Sequence, residues 1–180
     1  KRSPLCGRNF EYYSEDPLLA GKLAAGFIRG AEGEGVGTSL KHFAVNNQET
    51  LRMSVSAEVD ERALHELYLR PFEIAVKEGA PSTVMCSYNR INGVYASENR
   101  MLLTRILREQ WGFDGLVMSD WGAVYRRPAG VAAGLDLEMP SSGGVTDREI
   151  VRAVRAGRLD EAALDALCAR VLRLALAHAP

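Results

Sequence analysis

Apolar residues recur along this chain in two alternating rhythms, short unbroken runs and stripes at helical spacing. From Asp16-Pro17, which reads as N-cap and first helical residue, Leu19, Leu23 and Phe27 draw one apolar face, with Leu18, Ala24 and Ile28 beside them. Gly30 to Gly37 stop it, so a helix of about 14 residues is expected. Residues 38–45, apolar at Leu40, Phe43 and Val45 and bounded by glycines and Asn46-Asn47, predict a strand. Asp60 caps a helical stretch carrying Ala63, Leu64, Leu67 and Tyr68, which Pro71 breaks or restarts before Phe72, Ile74, Ala75 and Val76. Residues 82–87 predict a second strand, followed by a loop with the turn pair Asn92-Gly93. Leu102, Leu103, Ile106 and Leu107 mark a helix closed near Gly112, and Asp114-Gly115 launches a third strand over 116–119. A fourth strand is expected over 135–139, after an Ala/Gly-rich segment that Pro128 interrupts. Thr146-Asp147-Arg148-Glu149 has the form of a capping box, with Ile150, Val151 and Val154 inward and Gly157 closing the helix. Asp160 opens a last helix expected to bury Leu164, Leu167, Cys168, Val171 and Leu172; His65 and His178 fall on helices as surface or packing residues.

Strand followed by helix, with strands apolar almost throughout, predicts an α/β fold whose parallel sheet is covered by helices. Four countable strands are half of a (β/α)8 TIM-barrel, a fold of about 250 residues, so residues 1–180 are expected to form one partial barrel domain, roughly its C-terminal half. An open doubly wound sheet is the other architecture that four such units could build. Neither G-x-G-x-x-G nor a P-loop follows any strand, which gives nucleotide binding no support.

Composition narrows the partners. A formal net charge of -1 leaves no basic excess for a nucleic acid, and no run approaches the roughly 18 apolar residues of a membrane span. The start, Lys1-Arg2-Ser3-Pro4, leads into polar residues rather than an apolar leader, so the chain reads as soluble and as cytoplasmic rather than secreted. That start lacks a methionine and suggests further residues upstream. Cys6, Cys86 and Cys168, odd in number and without C-x-x-C spacing, read as free and mostly buried thiols rather than a disulfide frame or metal site.

Chemistry gathers at the predicted strand ends, which on a barrel converge on one face. In order they are Lys41-His42, Tyr88-Asn89, Asp120-Trp121 and Glu138-Met139. The set offers a carboxylate nucleophile, cations to hold it ionised, a phenol and an aromatic plate, which suits a sugar better than acyl or phosphoryl transfer. Each residue has a plainer reading. Asp120 would serve as the N-cap of a following helix, Trp121 as core or rim packing, His42 as a satisfied buried imidazole, Lys41 as a solvated amine, and Arg8 as an exposed loop charge. Tyr88 and Glu138 have structural readings as well.

Five motifs occur in one order: Gly7-Arg8-Asn9-Phe10-Glu11, Leu40-Lys41-His42-Phe43, Asp60-Glu61-Arg62-Ala63-Leu64 through Tyr68-Leu69-Arg70-Pro71-Phe72-Glu73, Met85-Cys86-Ser87-Tyr88-Asn89, and Val117 through Gly122. In order and approximate spacing the chain resembles glycoside hydrolase family 3, in its β-glucosidase branch, over nearly all its length. The resemblance implies a retaining exo-glycosidase acting on terminal non-reducing β-linked glucose, with β-xylosidase or a related specificity as the variant within the family. It requires no metal or organic cofactor. Asp120 matches the nucleophile; Arg8, Lys41 and His42 match residues that hold hydroxyls of the terminal sugar; Tyr88 matches the phenol beside the nucleophile; Met85 and Trp121 match apolar walls.

The proton donor of that branch comes from a separate domain after the barrel, and no motif makes Asp136 or Glu138 the donor. Lys41-His42-Phe43-Ala44-Val45-Asn46-Asn47 lacks the second histidine of the K-H-F-P-G-H-G loop in the N-acetylglucosaminidase branch. Val124-Tyr125-Arg126-Arg127-Pro128 departs from the polar segment usual after the nucleophile. The partners implied are a small β-glucoside or oligosaccharide and the remaining domains of the same enzyme. Two unpaired sheet edges also predict self-association. From a different class, the alternative function is a non-catalytic carbohydrate-binding or structural fragment.

Overall fold

A computed structural model describes residues 2–177; His178 lies outside them. The elements are α1 (Pro17–Gly33), β1 (Ser39–Phe43), β2 (Ser56–Ala57), α2 (residues 61–79), β3 (Thr83–Cys86), β4 (Arg90–Ile91), β5 (Val94–Tyr95), α3 (Met101–Gln110), β6 (Leu116–Met118), α4 (Arg127–Ala133), α5 (Val145–Arg155) and α6 (Glu161–Ala177). The start signals act as the sequence predicts. Asp16 Oδ1 accepts the Leu19 N–H at 2.7 Å, and Asp60 Oδ1 accepts the Ala63 N–H at 2.8 Å. In α2 the turns over Leu64–Leu69 are wide π turns, and the helix returns to α winding at Arg70 with Pro71 at its first turn. The wide turns directly before Pro71 let the helix continue past a residue that lacks an N–H to donate.

The main sheet runs β1-β3-β6, all parallel, with Leu40 opposite Val84 and Val84 opposite Val117. Spatial order follows chain order without a reversal. Sequential neighbours are what a barrel needs, whereas a doubly wound sheet reverses at its switch point. The expected fourth strand is not one. Residues 135–139 lie beside β6 through a single parallel bridge between Met118 and Leu137. Asp136 N–H and Leu137 N–H both donate to Val117 O, at 2.9 and 3.1 Å, and two donors spent on one carbonyl leave no regular ladder. A second small sheet, β2-β4-β5, carries the Asn92-Gly93 turn with both φ angles positive.

Fully buried Phe43 packs its ring against Phe72 and Trp111, with centroids 5.1 and 5.7 Å away, and Leu102, Leu103, Ile106 and Leu107 complete this core as their spacing predicts. α1 departs from its predicted face. Ala24 and Ile28 are buried, but Leu18, Leu19, Leu23 and Phe27 are all exposed, the last by 64%. Gly21 explains why. A Cβ at Gly21 would stand 2.8 Å from Ile74 Cβ, so α1 meets α2 on its small residues and the larger leucines point away.

Three expectations near the C-terminus are corrected. Gly144, with φ 87°, holds the N-cap position of α5, so Thr146 cannot begin a capping box. The Thr146 hydroxyl instead donates to Glu138, and its N–H donates to Ser142 Oγ at 3.1 Å. Val151 is exposed while Ala153 is buried, which rotates the inward face of α5 from its predicted position. On α6 Leu167 is buried, but Cys168 and Leu172 are exposed, so the thiols are buried at Cys6 and Cys86 alone.

Candidate active site

Ending three parallel strands side by side brings their chemistry together. β1 delivers Lys41 and His42; the chain leaving β3 delivers Ser87, Tyr88 and Asn89; the chain leaving β6 delivers Asp120 and Trp121. The β1 to β3 register shifts between Leu40 and Phe43, an irregularity of the kind that re-aims side chains at a strand's end.

Asp120 is buried, with 7% of its surface exposed. Its Oδ1 accepts the Trp121 N–H at 2.7 Å. Oδ2 has no hydrogen-bond partner among the described residues and stands 3.4 Å from His42 Nε2. α4 begins at Arg127, seven residues on, so Asp120 caps no helix. Tyr88 is buried close by, and burial together with the Asp120 charge pushes its phenol up. Arg52, from the irregular loop after β1, lies over the Tyr88 ring at 4.4 Å. Met85 is half-buried beside Met118, and Trp121 stands 58% exposed, which removes its reading as core packing. Burial pushes the Cys86 thiol up to about 12, so it stays a neutral packing group beneath Asp120.

Arg8 and Lys41 form no ion pair with Asp120; both reach Glu11 instead. Arg8 Nε donates to Glu11 Oε1 at 2.6 Å, and Lys41 Nζ stands 3.3 Å from Oε2. Burial alone would raise the Glu11 carboxyl, but hydrogen bonds and charge from Arg8 and Lys41 outweigh it and hold the group below its ordinary value. His42 Nε2 is 3.9 Å from the same carboxylate, and its Nδ1 is 2.5 Å from the Tyr12 hydroxyl. Burial, helped by Lys41 and Arg8, lowers His42 to about 4 despite the pull of Asp120. The ring is therefore neutral near pH 7, a donor on one nitrogen and an acceptor on the other.

Of the seven predicted site residues, Arg8, Lys41 and His42 gather around Glu11, His42 and Tyr88 stand near Asp120, and Met85 and Trp121 are placed by their chain positions on β3 and next to Asp120. Glu11 and Tyr12 were missed. Glu11 had a signal, an acid three residues after Arg8 inside the Gly7–Glu11 motif; Tyr12 and Arg52 had none, because their contacts exist only across the fold. Asp136 and Glu138 sit elsewhere in role. Asp136 is fully buried between Arg108 at 2.7 Å and Arg170 at 2.8 Å and also accepts the Val117 N–H, while Glu138 takes the Thr146 hydroxyl and lies 3.8 Å from Arg127. Among the described residues, no group of three or more His, Cys, Asp and Glu could hold a metal, and no helix is long and apolar enough to cross a membrane.

Known proteins are similar to this chain over nearly all its length. The family model of the glycosyl hydrolase family 3 N terminal domain matches residues 1–174. Thermostable β-glucosidase B of Acetivibrio thermocellus is 58% identical over 174 residues, which are 97% of this chain and 23% of that protein. An exo-α-(1->6)-L-arabinopyranosidase of Bifidobacterium longum is 56% identical over the same shares. The crystal structure of a family 3 β-glucosidase from Bifidobacterium adolescentis superposes with a TM-score of 0.95 at 54% identity, covering 99% of this chain and 26% of that one. β-Glucosidase 3B from Thermotoga neapolitana, in complex with α-D-glucose, gives 0.95 at 48% identity over 98% of this chain and 26% of that one. The chain thus spans about a quarter of the length of these relatives. Its sheet is part of a (β/α)8 barrel, and the chain belongs to glycosyl hydrolase family 3.

Proposed function

We propose that the chain supplies the nucleophile half of a retaining exo-glycosidase that removes terminal non-reducing β-D-glucosyl residues, with Asp120 attacking the anomeric carbon. The observation that carries this reading is the Asp120 carboxylate itself: buried at the strand ends, tied down through Oδ1 and left without a hydrogen bond at Oδ2. A buried oxygen without a partner is costly unless a ligand meets it. Arg8, Lys41 and His42 hold hydroxyls of the sugar from one side, Tyr88 lies beside the nucleophile, and Met85 and Trp121 wall the ring. Attack gives a glycosyl-aspartate that water then hydrolyses.

The second carboxyl, needed about 5–5.5 Å from the first, comes from outside these 180 residues. So do the other strands of the barrel. β1 has no strand on its outer edge among the described residues, and a cavity of about 110 Å³ opens there between α1, α2 and the segment at Tyr12. Glucose is favoured as the sugar because most of the similar proteins, the 58% identical one among them, are named β-glucosidases. An arabinopyranoside is the second reading, favoured by the 56% identical Bifidobacterium longum protein. The test is Asp120→Ala in the full-length enzyme, assayed on both aryl glycosides. Turnover is expected to be nearly abolished with the fold retained; unchanged hydrolysis would overturn the assignment.

A further inference from the structure

We infer that Tyr12 is a positioning residue that locks His42 as the neutral Nε2–H tautomer, so that the imidazole presents a donor, not a lone pair, to the sugar. The inference deepens the proposed function and rests on it for the identity of the ligand. His42 is 3% exposed and sits between two different surroundings. On the Nε2 side are two carboxylate oxygens, Asp120 Oδ2 at 3.4 Å and Glu11 Oε2 at 3.9 Å. On the Nδ1 side is the Tyr12 hydroxyl at 2.5 Å.

A neutral imidazole carries one proton. Were it on Nδ1, the Nε2 lone pair would face two acceptors that have nothing to donate. With the proton on Nε2, it lies on the side of the two carboxylates, close to Oδ2 but without a hydrogen bond to it, and Tyr12 donates to Nδ1, so neither ring nitrogen sets a lone pair against an acceptor. Burial raises the Tyr12 phenol well above its ordinary value and lowers His42, so the phenol keeps the proton that it donates. Neither neighbour does this alone: the carboxylates demand a donor at Nε2, and Tyr12 fixes the ring plane in which that donor is aimed. A histidine oriented through its other nitrogen is a familiar arrangement at metal and catalytic centres. Here the oriented atom faces a hydroxyl site.

The consequence is specific to one contact. When a sugar enters, Nε2–H donates to a ring hydroxyl, and the loss of Tyr12 should weaken that hydrogen bond and leave the others alone. Two measurements on the full-length enzyme test this. A neutron structure of the perdeuterated enzyme should show deuterium on Nε2 and on the Tyr12 oxygen and none on Nδ1; deuterium on Nδ1 overturns the proposal. Tyr12→Phe should lower kcat/KM about tenfold on the full substrate, the size of one hydrogen bond. Across a series of monodeoxy glycosides, that penalty should vanish for the member lacking the hydroxyl held by His42, which His42→Gln identifies independently. An equal penalty on every member means that Tyr12 acts through the fold alone and also overturns the proposal. The neutron result does not depend on turnover, so failure of the glycosidase reading and failure of this one are separable.

Discussion

His42 Nε2 at the end of β1 stands 3.4 Å from Asp120 Oδ2 just beyond β6, reaching across the strand between them. The pair shows how the site is charged: a neutral imidazole meets the carboxylate, while the cations Arg8 and Lys41 pair with Glu11. Glu11→Gln should therefore free both cations without unfolding the chain. We expect kcat/KM for the glycoside to fall roughly 10- to 100-fold, the range for hydrogen bonds to charged groups, chiefly through KM. Unchanged kinetics would mean that Arg8 and Lys41 need no anchor.

Asp136 holds Arg108 and Arg170 in the interior and has none of its side chain exposed. Burial already lowers the Arg108 guanidinium against the pull of this carboxylate. Asp136→Asn leaves two arginines facing a neutral amide, and breaking a buried pair in this way typically costs about 3–5 kcal/mol. A urea midpoint lowered at constant m by that free energy divided by m is the expected result; a loss under about 1 kcal/mol would show that solvent reaches the arginines.

Glu32, near the end of α1, accepts from Thr38 N and Oγ1 at 2.8 and 2.7 Å and from Ser82 N and Oγ at 2.8 and 2.6 Å, tying the starts of β1 and β3 together. Burial would raise its carboxyl, but these four hydrogen bonds outweigh it and hold the group at about 2 against an ordinary 4.5. A carboxyl depressed in the folded state adds stability that is full above pH 4.5 and is lost as pH falls toward 2. Glu32→Gln should lower stability at pH 7 and flatten its pH dependence between those values. An unaltered acid limb contradicts the assignment.

Much of this was legible in the sequence, and what was not has a physical cause. The ends of β1, β3 and β6 were visible because a buried parallel strand must be apolar throughout, so a Lys, His or Asp at its end stands out. The α1 face was misread because periodicity weighs large side chains, whereas the close α1–α2 contact needs Gly21, Ala24 and Ala25 and turns Leu19, Leu23 and Phe27 outward. The strand over 135–139 failed for a related reason: apolar character gives no sign that Asp136 will be drawn to Arg108 and Arg170. Thr146 matched a capping box in its spacing alone, and the hydroxyl was taken by Glu138. Glu11 and Tyr12 show the deeper limit. Their importance lies in what β1 brings to them from about thirty residues away, which no local pattern encodes.

A bond between Asp120 and the sugar is detected by intact-mass and peptide mapping of the full-length enzyme after incubation with an activated 2-deoxy-2-fluoro-β-glucoside. With Asp120 as nucleophile, a stable adduct of one fluoroglucosyl group forms on the peptide containing Asp120 and is absent from Asp120→Ala. An adduct on another carboxylate, or turnover of ordinary substrate with Asp120 unlabelled, would contradict it.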